Sequence, residues 1–338
     1  MTSTSPRDEP HIAILDGWRA LSILLVLFAH WVPAPRAWQL NDAAGAAGMA
    51  IFFALSGFLI TRLLLRNSQV TPFLVRRLMR ILPLSWAAMA ILYIATMPGL
   101  ETGVANALFY SNLPPARLME GGAHLWSLCI EVQFYVGVAL LVALGGRRAL
   151  FLLPLLALSV TALRIADSQP ISIVTWHRVD EILTGASLAL FVHHAHRLPR
   201  LVKPHAATCV ALAMLLALSA HPATGWLQYL RPYFAAAAVG ASLYAAPRLV
   251  TWIFTSAPAS YLAKVSYALY VVHGMLTATW LGGEEASRTA RYLLRLPLAA
   301  ATFALAHLST FHYEKHWIAW GKRLTGGGRK TSLNATNA

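Results

Sequence analysis

Apolar runs of about 20 residues recur along this chain from end to end, the length a helix needs to cross a bilayer. In lipid such a segment has no water to satisfy its backbone N–H and C=O groups, so it satisfies them internally as an α-helix. Sliding along the sequence places ten such helices near residues 12–32, 46–65, 73–97, 124–144, 149–166, 177–194, 206–220, 233–247, 261–282 and 293–312. Composition agrees, with 57% hydrophobic and 12% charged residues, against about a quarter charged in soluble domains. The expected fold is all-α, a polytopic integral membrane protein of about ten transmembrane helices.

Short cytoplasmic loops favour Lys and Arg. Here Arg62, Arg66, Arg76 and Arg77 flank the second loop, Arg147 and Arg148 the fourth, Arg197, Arg200 and Lys203 the sixth, and Arg248 the eighth. Lys315, Lys322, Arg323, Arg329 and Lys330 follow in the tail, so both termini are expected in the cytoplasm. Arg288, Arg291 and Arg295, beside Glu284 and Glu285 in the last outer loop, are the exception. The net charge of +14 is therefore dealt out by topology rather than gathered in one domain, which argues against a nucleic-acid partner. The first run lacks a cationic leader and a small-residue cleavage site, so it is expected to stay in the mature protein. Residues 1–324 read as one transmembrane domain, ending in an amphipathic helix at 314–324, and 325–338 as a disordered cytoplasmic tail. Cys129 and Cys209 sit in apolar stretches and suggest neither a disulfide framework nor a thiolate metal site.

Ionisable groups inside membrane runs are costly and are kept where they are used. The first run carries Asp16, Arg19 and His30. On one continuous helix Arg19 and His30 lie on nearly the same face, ~16 Å apart along the axis, so they can line one cavity without touching. Sorted by depth, the polar groups form two clusters. Near the cytoplasmic face lie Asp16, Arg19, Arg62, Arg76, Arg77, Arg80 and Lys264; near the outer face lie His30, His124, Glu131, His177, Arg178 and Asp180, with His273 near the middle of the ninth helix. Guanidinium groups suit a phosphate-bearing ligand, although topological anchoring accounts for Arg62, Arg66 and Arg76. Arg80, inside the third helix before Pro83, needs a partner or a ligand; Asp16 could be that partner, or could pair with Arg19 on its own helix. The outer cluster combines imidazoles with carboxylates, the pairing that deprotonates a hydroxyl near neutral pH and holds the resulting imidazolium. His193, His194 and His196 form a short tract at a helix end, without metal-ligand spacing.

Five strings in order, LDGWR at 15–19, FFALSGFLI at 52–60, RLMRILP at 77–83, HLWSLCIEVQFY at 124–135 and VSYALYVVH at 265–273, resemble the motifs of the bacterial membrane acyltransferase 3 family. The resemblance spans nearly the whole chain. It implies a ten-helix O-acyltransferase of the bacterial inner membrane that moves an acyl group, commonly acetyl, from cytoplasmic acyl-CoA to a hydroxyl of a glycan or other glycosylated product. The family pattern carries over onto Arg19 and His30 with ten residues between them, onto Arg77 and Arg80 as paired arginines, onto Glu131, and onto the segment from Arg178 through Asp180 to Gly185. It departs at Val132 and Ala50, where acidic residues are common, and at Ala20, where Gly is. Some members carry an extra extracytoplasmic hydrolase-like domain, for which this chain has no room, so an acyl relay would involve a separate protein or be absent.

The resulting expectation is that acyl-CoA, a co-substrate rather than a bound cofactor, docks its phosphates at Arg19, Arg77 and Arg80 with Asp16 alongside. Its pantetheine arm would reach toward His30, the general base, whose ring Glu131 or Asp180 would orient; Tyr135 or Trp126 would donate to the oxyanion. A covalent route through Cys129 is disfavoured, because a thiol in apolar surroundings is inert. The rival reading is a polytopic transporter or exporter component whose buried charges form a substrate path, but the matching broken helices of an inverted repeat are not visible.

Overall fold

The computed structural model describes residues 12–32, 34–195, 205–283 and 287–326, and all its regular elements are helical. Thirteen α-helices follow one another: α1 (Ala13–Trp31), α2 (Leu40–Arg66), α3 (Val70–Thr96), α4 (Leu100–Ala107), α5 (Trp126–Gly145), α6 (Leu153–Ala166), α7 (Asp180–His194), α8 (Ala206–Ala220), α9 (Arg231–Ala245), α10 (Arg248–Phe254), α11 (Ala257–Thr277), α12 (Arg288–Leu308) and α13 (Lys315–Leu324). Each of the ten expected runs falls on one of them. Six described helical segments are long and apolar enough to cross a membrane, or seven if Pro222–Ala245 and Arg248–Phe254, bent by 102° at their junction, form one span. The chain is an all-α polytopic membrane protein.

Boundaries moved where local chemistry overrides hydropathy. α2 begins at Leu40, earlier than its apolar run, because the alanines from Ala43 to Ala50 favour helix. α7 begins at Asp180 rather than 177, since Thr175–His177 forms a separate single turn. The last expected span does not stop at 312: Ser309–Glu314 winds as a π-helix, in which Ser309 and Thr310 donate to Glu314, and leads directly into α13. α13 lies against α3, where Arg76 Nε donates to Thr325 Oγ1 at 2.8 Å. The sixth-loop cations Arg197, Arg200 and Lys203, the outer Glu284 and Glu285, and tail residues 327–338 lie outside the described residues.

α2 is the central helix, packed along α1 on one side and α7 on the other, while α11 covers the second face of α1. The α2–α7 contact depends on two glycines. A Cβ at Gly57 would fall 1.9 Å from the Ile182 carbonyl oxygen, and one at Gly185 would fall 1.9 Å from that of Ala54. Small residues are what let membrane helices approach backbone to backbone. Phe53, Phe58, Leu128, Ile130 and Leu269 fill the interior around this crossing, all fully buried. Gly185→Ala should force the two helices apart and lower the thermal midpoint of the detergent-purified protein, by a loss of about 1–3 kcal/mol. An unchanged midpoint would show that α2 and α7 do not touch at this distance.

Candidate active site

Helices α1, α2, α3, α5 and α11 enclose a cleft of about 90 Å³, enough for several waters. α1 presents Arg19, Ser22, Ile23 and Val26 to it, the i, i+3, i+4, i+7 stripe of a single helical face. α3 presents Arg77 and Arg80, one turn apart, so the three guanidinium groups expected to act together line one wall system. Asp16 stands beside them: its Oδ1 is 3.8 Å from Arg19 Nη1, and its Oδ2 accepts the Ser260 hydroxyl at 3.2 Å. Arg80 is exposed, whereas Lys264, expected in the same cluster, is exposed without lining the cleft. On the opposite wall Glu131 Oε1 accepts hydrogen bonds from Ser56 Oγ at 2.6 Å and Tyr135 OH at 2.5 Å.

Val26, Met49, Phe52 and Tyr270 also line the cleft. Phe52 and Tyr270 stack with centroids 6.0 Å apart and planes 8° from parallel. The other edge of Tyr270 meets a group of imidazoles, His124 at 5.4 Å and His273 at 5.6 Å between centroids. His273 in turn packs 4.5 Å from His124 and 4.9 Å from His30. Gly274 makes room for this group, because a Cβ there would fall 2.2 Å from the His124 ring.

Hydrogen bonding fixes the tautomers. His30 Nδ1 lies 2.8 Å from the Val26 carbonyl oxygen, and a carbonyl only accepts, so Nδ1 carries the proton and Nε2 of the neutral ring keeps its lone pair. His273 Nδ1 donates to the Tyr270 carbonyl at 2.7 Å, which leaves a buried Nε2 with no hydrogen-bond partner. His124 Nε2 donates to Val271 O at 3.2 Å. Tyr270 OH donates to the His124 carbonyl and lies 2.6 Å from Ser127 Oγ, which therefore donates to it. Among the described residues no group of three His, Cys, Asp or Glu side chains is placed to hold a metal ion.

The carboxylate expected to orient His30 is replaced by the Val26 carbonyl and by His273. Glu131 belongs instead to the arginine cleft. Asp180 is committed elsewhere: its Oδ2 accepts from Arg164 Nη1 at 2.5 Å and Thr161 Oγ1 at 3.0 Å, with both charged side chains fully buried. A guanidinium with no access to water demands that carboxylate more than an imidazole does. His177 pairs with Asp167 at 2.7 Å, and Arg178 lies over the Trp126 ring at 5.5 Å. Of the two expected oxyanion donors, the Tyr135 hydroxyl is occupied by Glu131 and Trp126 packs edge-on to Phe53. Cys129 is a buried free thiol beside Ser111 Oγ.

Sequence reasoning missed Ser56, Phe52 and Tyr270 as site residues and left His273 outside the base cluster. The available signal for His273 was an imidazole in mid-span three residues after Tyr270. It also missed Arg164, a cation in an apolar helix whose nearest acid in sequence, Asp167, pairs with His177 instead.

Comparison with known proteins adds a family. The acyltransferase domain of the acyltransferase 3 type matches residues 12–308. Similar curated proteins include Nodulation protein 10 of Rhizobium leguminosarum, 30% identical over 44% of this chain and 48% of that protein. The peptidoglycan O-acetyltransferase OatA of Listeria monocytogenes is 26% identical over 91% of this chain and 56% of its own length. A putative O-acetyltransferase of Staphylococcus aureus is 32% identical over 37% of this chain and 24% of its own. The chain thus spans about half the length, or less, of the curated relatives it matches. No solved structure matches it.

Asp180→Ala should leave Arg164 as an unpaired buried charge and lower stability by about 3–5 kcal/mol, seen as loss of monodisperse protein after detergent extraction. A well-folded, inactive Asp180→Ala protein would instead move Asp180 back into the chemistry.

Proposed function

This chain belongs to the acyltransferase 3 family, and from that premise we propose that it is a membrane O-acyltransferase carrying an acyl group, acetyl foremost, from acyl-CoA to a carbohydrate hydroxyl. The observation that carries the reading is the sharing of α1: one helix lines an arginine cleft at Arg19 and ends at His30, whose Nε2 lone pair is not spent on the backbone. Arg19, Arg77 and Arg80 supply permanently charged forked donors for the phosphates of the co-substrate. The cytoplasm is its only source, which agrees with the loop charges and with the expectation that both termini lie there, in a bacterial inner membrane. The carbohydrate acceptor is supported by the name of the Listeria relative, a peptidoglycan O-acetyltransferase.

In the proposed reaction the pantetheine arm lies along the cleft past Glu131, and the rings of Phe52 and Tyr270 part to let the thioester reach the imidazoles. His30 Nε2 takes the proton of the acceptor hydroxyl as its oxygen attacks the thioester carbon. The tetrahedral intermediate collapses, the C–S bond breaks, and the thiolate leaves with the proton from the imidazolium. His30 is held for this by two contacts: the Val26 carbonyl fixes its tautomer and His273 fixes its ring. No feature of the site favours the transporter reading.

His30→Ala should abolish label transfer from radiolabelled acetyl-CoA to membrane glycan while leaving yield and melting unchanged; full transfer would remove the base. Arg80→Ala should weaken acyl-CoA binding at least tenfold, the loss of one charged hydrogen bond of about 1.5–3 kcal/mol, without changing acceptor affinity. Equal loss for both substrates would count against phosphate docking.

A further inference from the structure

The outer ends of α6, α7 and α9 hold five charged side chains out of water: Arg164, Arg178 and Arg231 against Asp180 and Glu181, exposed by 0%, 2%, 0%, 0% and 0%. Asp180 takes Arg164, as described. Glu181 takes the other two, Oε1 from Arg231 Nε at 3.0 Å and Oε2 beside Arg178 Nε at 3.1 Å. Guanidinium groups stay protonated in proteins, so three positive charges face two negative ones in a region of low dielectric.

Other contacts offset part of the imbalance. The Gln169 and Pro170 carbonyls accept from Arg164, and Pro170 also accepts from Arg231 Nη2 at 3.3 Å. Arg164 lies over the Tyr229 ring and Arg178 over Trp126. What remains is specific: Arg178 Nε and Nη1 and Arg231 Nη1 are buried donors with no hydrogen-bond acceptor. Asp180 Oδ1 and Glu181 Oε2 are also without hydrogen-bond donors, and a water can serve those two, but a water brings no charge. A buried net charge is costly for a fold to keep, even where each cation has a carboxylate beside it.

We propose that a small monovalent inorganic anion binds between Arg178 and Arg231 as the third negative charge of this cluster. Two guanidinium groups sealed among protein side chains suit a single small ion better than a phosphate or a sugar carboxylate with its attached chain. The ion would tie the turn just before α7, which carries Arg178, to the first turn of α9, and hold Arg178 on Trp126, two residues after His124. It stands apart from the acyl-donor cleft and does not depend on the proposed reaction.

The test uses the full-length wild-type protein in detergent, melted in sodium chloride, sodium bromide or sodium gluconate at constant ionic strength. Chloride and bromide should raise the midpoint saturably, by roughly 5 °C at a hundredfold excess over Kd. Superimposable melts in chloride and gluconate, or a trend that never saturates, would overturn the proposal. Bromide should also give an anomalous peak between the two guanidinium groups, and a water alone at that position would overturn it. Arg178→Gln removes the excess charge and should abolish the chloride response; should that variant not fold, the wild-type titration and the bromide peak decide.

Discussion

A charged group cannot face lipid, and that single restriction arranges this molecule. Every ionisable side chain that the apolar runs carry must end against another polar group or against a space that water and ligands can enter. The structure uses both solutions and keeps them apart. On the α6–α7–α9 side the charges close on one another, with Arg164, Arg231, Asp180 and Glu181 sealed from solvent. On the α1–α3–α11 side they line an open cleft in which Arg80 stays exposed. Closed clusters hold a fold together, while open ones are available for chemistry.

Which residues were legible in the sequence follows from the range of the interactions. Hydropathy is local, so every apolar run was found as a helix. The Arg19–His30 relation was also legible, because it is a property of one helix and its repeat. Pairing between helices was not. Asp180 looked like a partner for His30 because both sort to the outer face by depth, yet depth says nothing about direction around the bundle. Its partner Arg164 lies 16 residues away on the preceding helix, and Arg231 reaches Glu181 across 50. The same limit hid His273, whose ring meets His30 from the far end of the chain.

Replacing an expected carboxylate by a backbone carbonyl and a second imidazole changes what His30 can do. A carboxylate would add negative charge and stabilise the imidazolium strongly. The Val26 carbonyl fixes the same tautomer with a dipole only, and His273, itself committed to the Tyr270 carbonyl, supports the ring edge-on. The ring is thereby oriented while its Nε2 stays clear of the backbone, which suits the proton transfer proposed for it.

The two halves of the site are linked by rigid elements rather than by loops. α1 carries Arg19 in the cleft and His30 beyond its end, and α11 carries Tyr267 and Tyr270 in the cleft wall and His273 in the imidazole group. A helix advances about 1.5 Å per residue, so the eleven-residue step from Arg19 to His30 sets ~16 Å along the axis between the guanidinium and the imidazole. Because α1 and α11 pack directly on each other, neither can shift along its axis without disturbing both ends together. In the proposed reaction that spacing acts as a gauge for the tethered donor. In it the side chains that move are Phe52 and Tyr270, which stack on each other, the Tyr270 hydroxyl being held by Ser127 and the His124 carbonyl. The moving part of the site is thereby reduced to two rings on a fixed frame, which is what a thioester needs in order to pass while water is kept out.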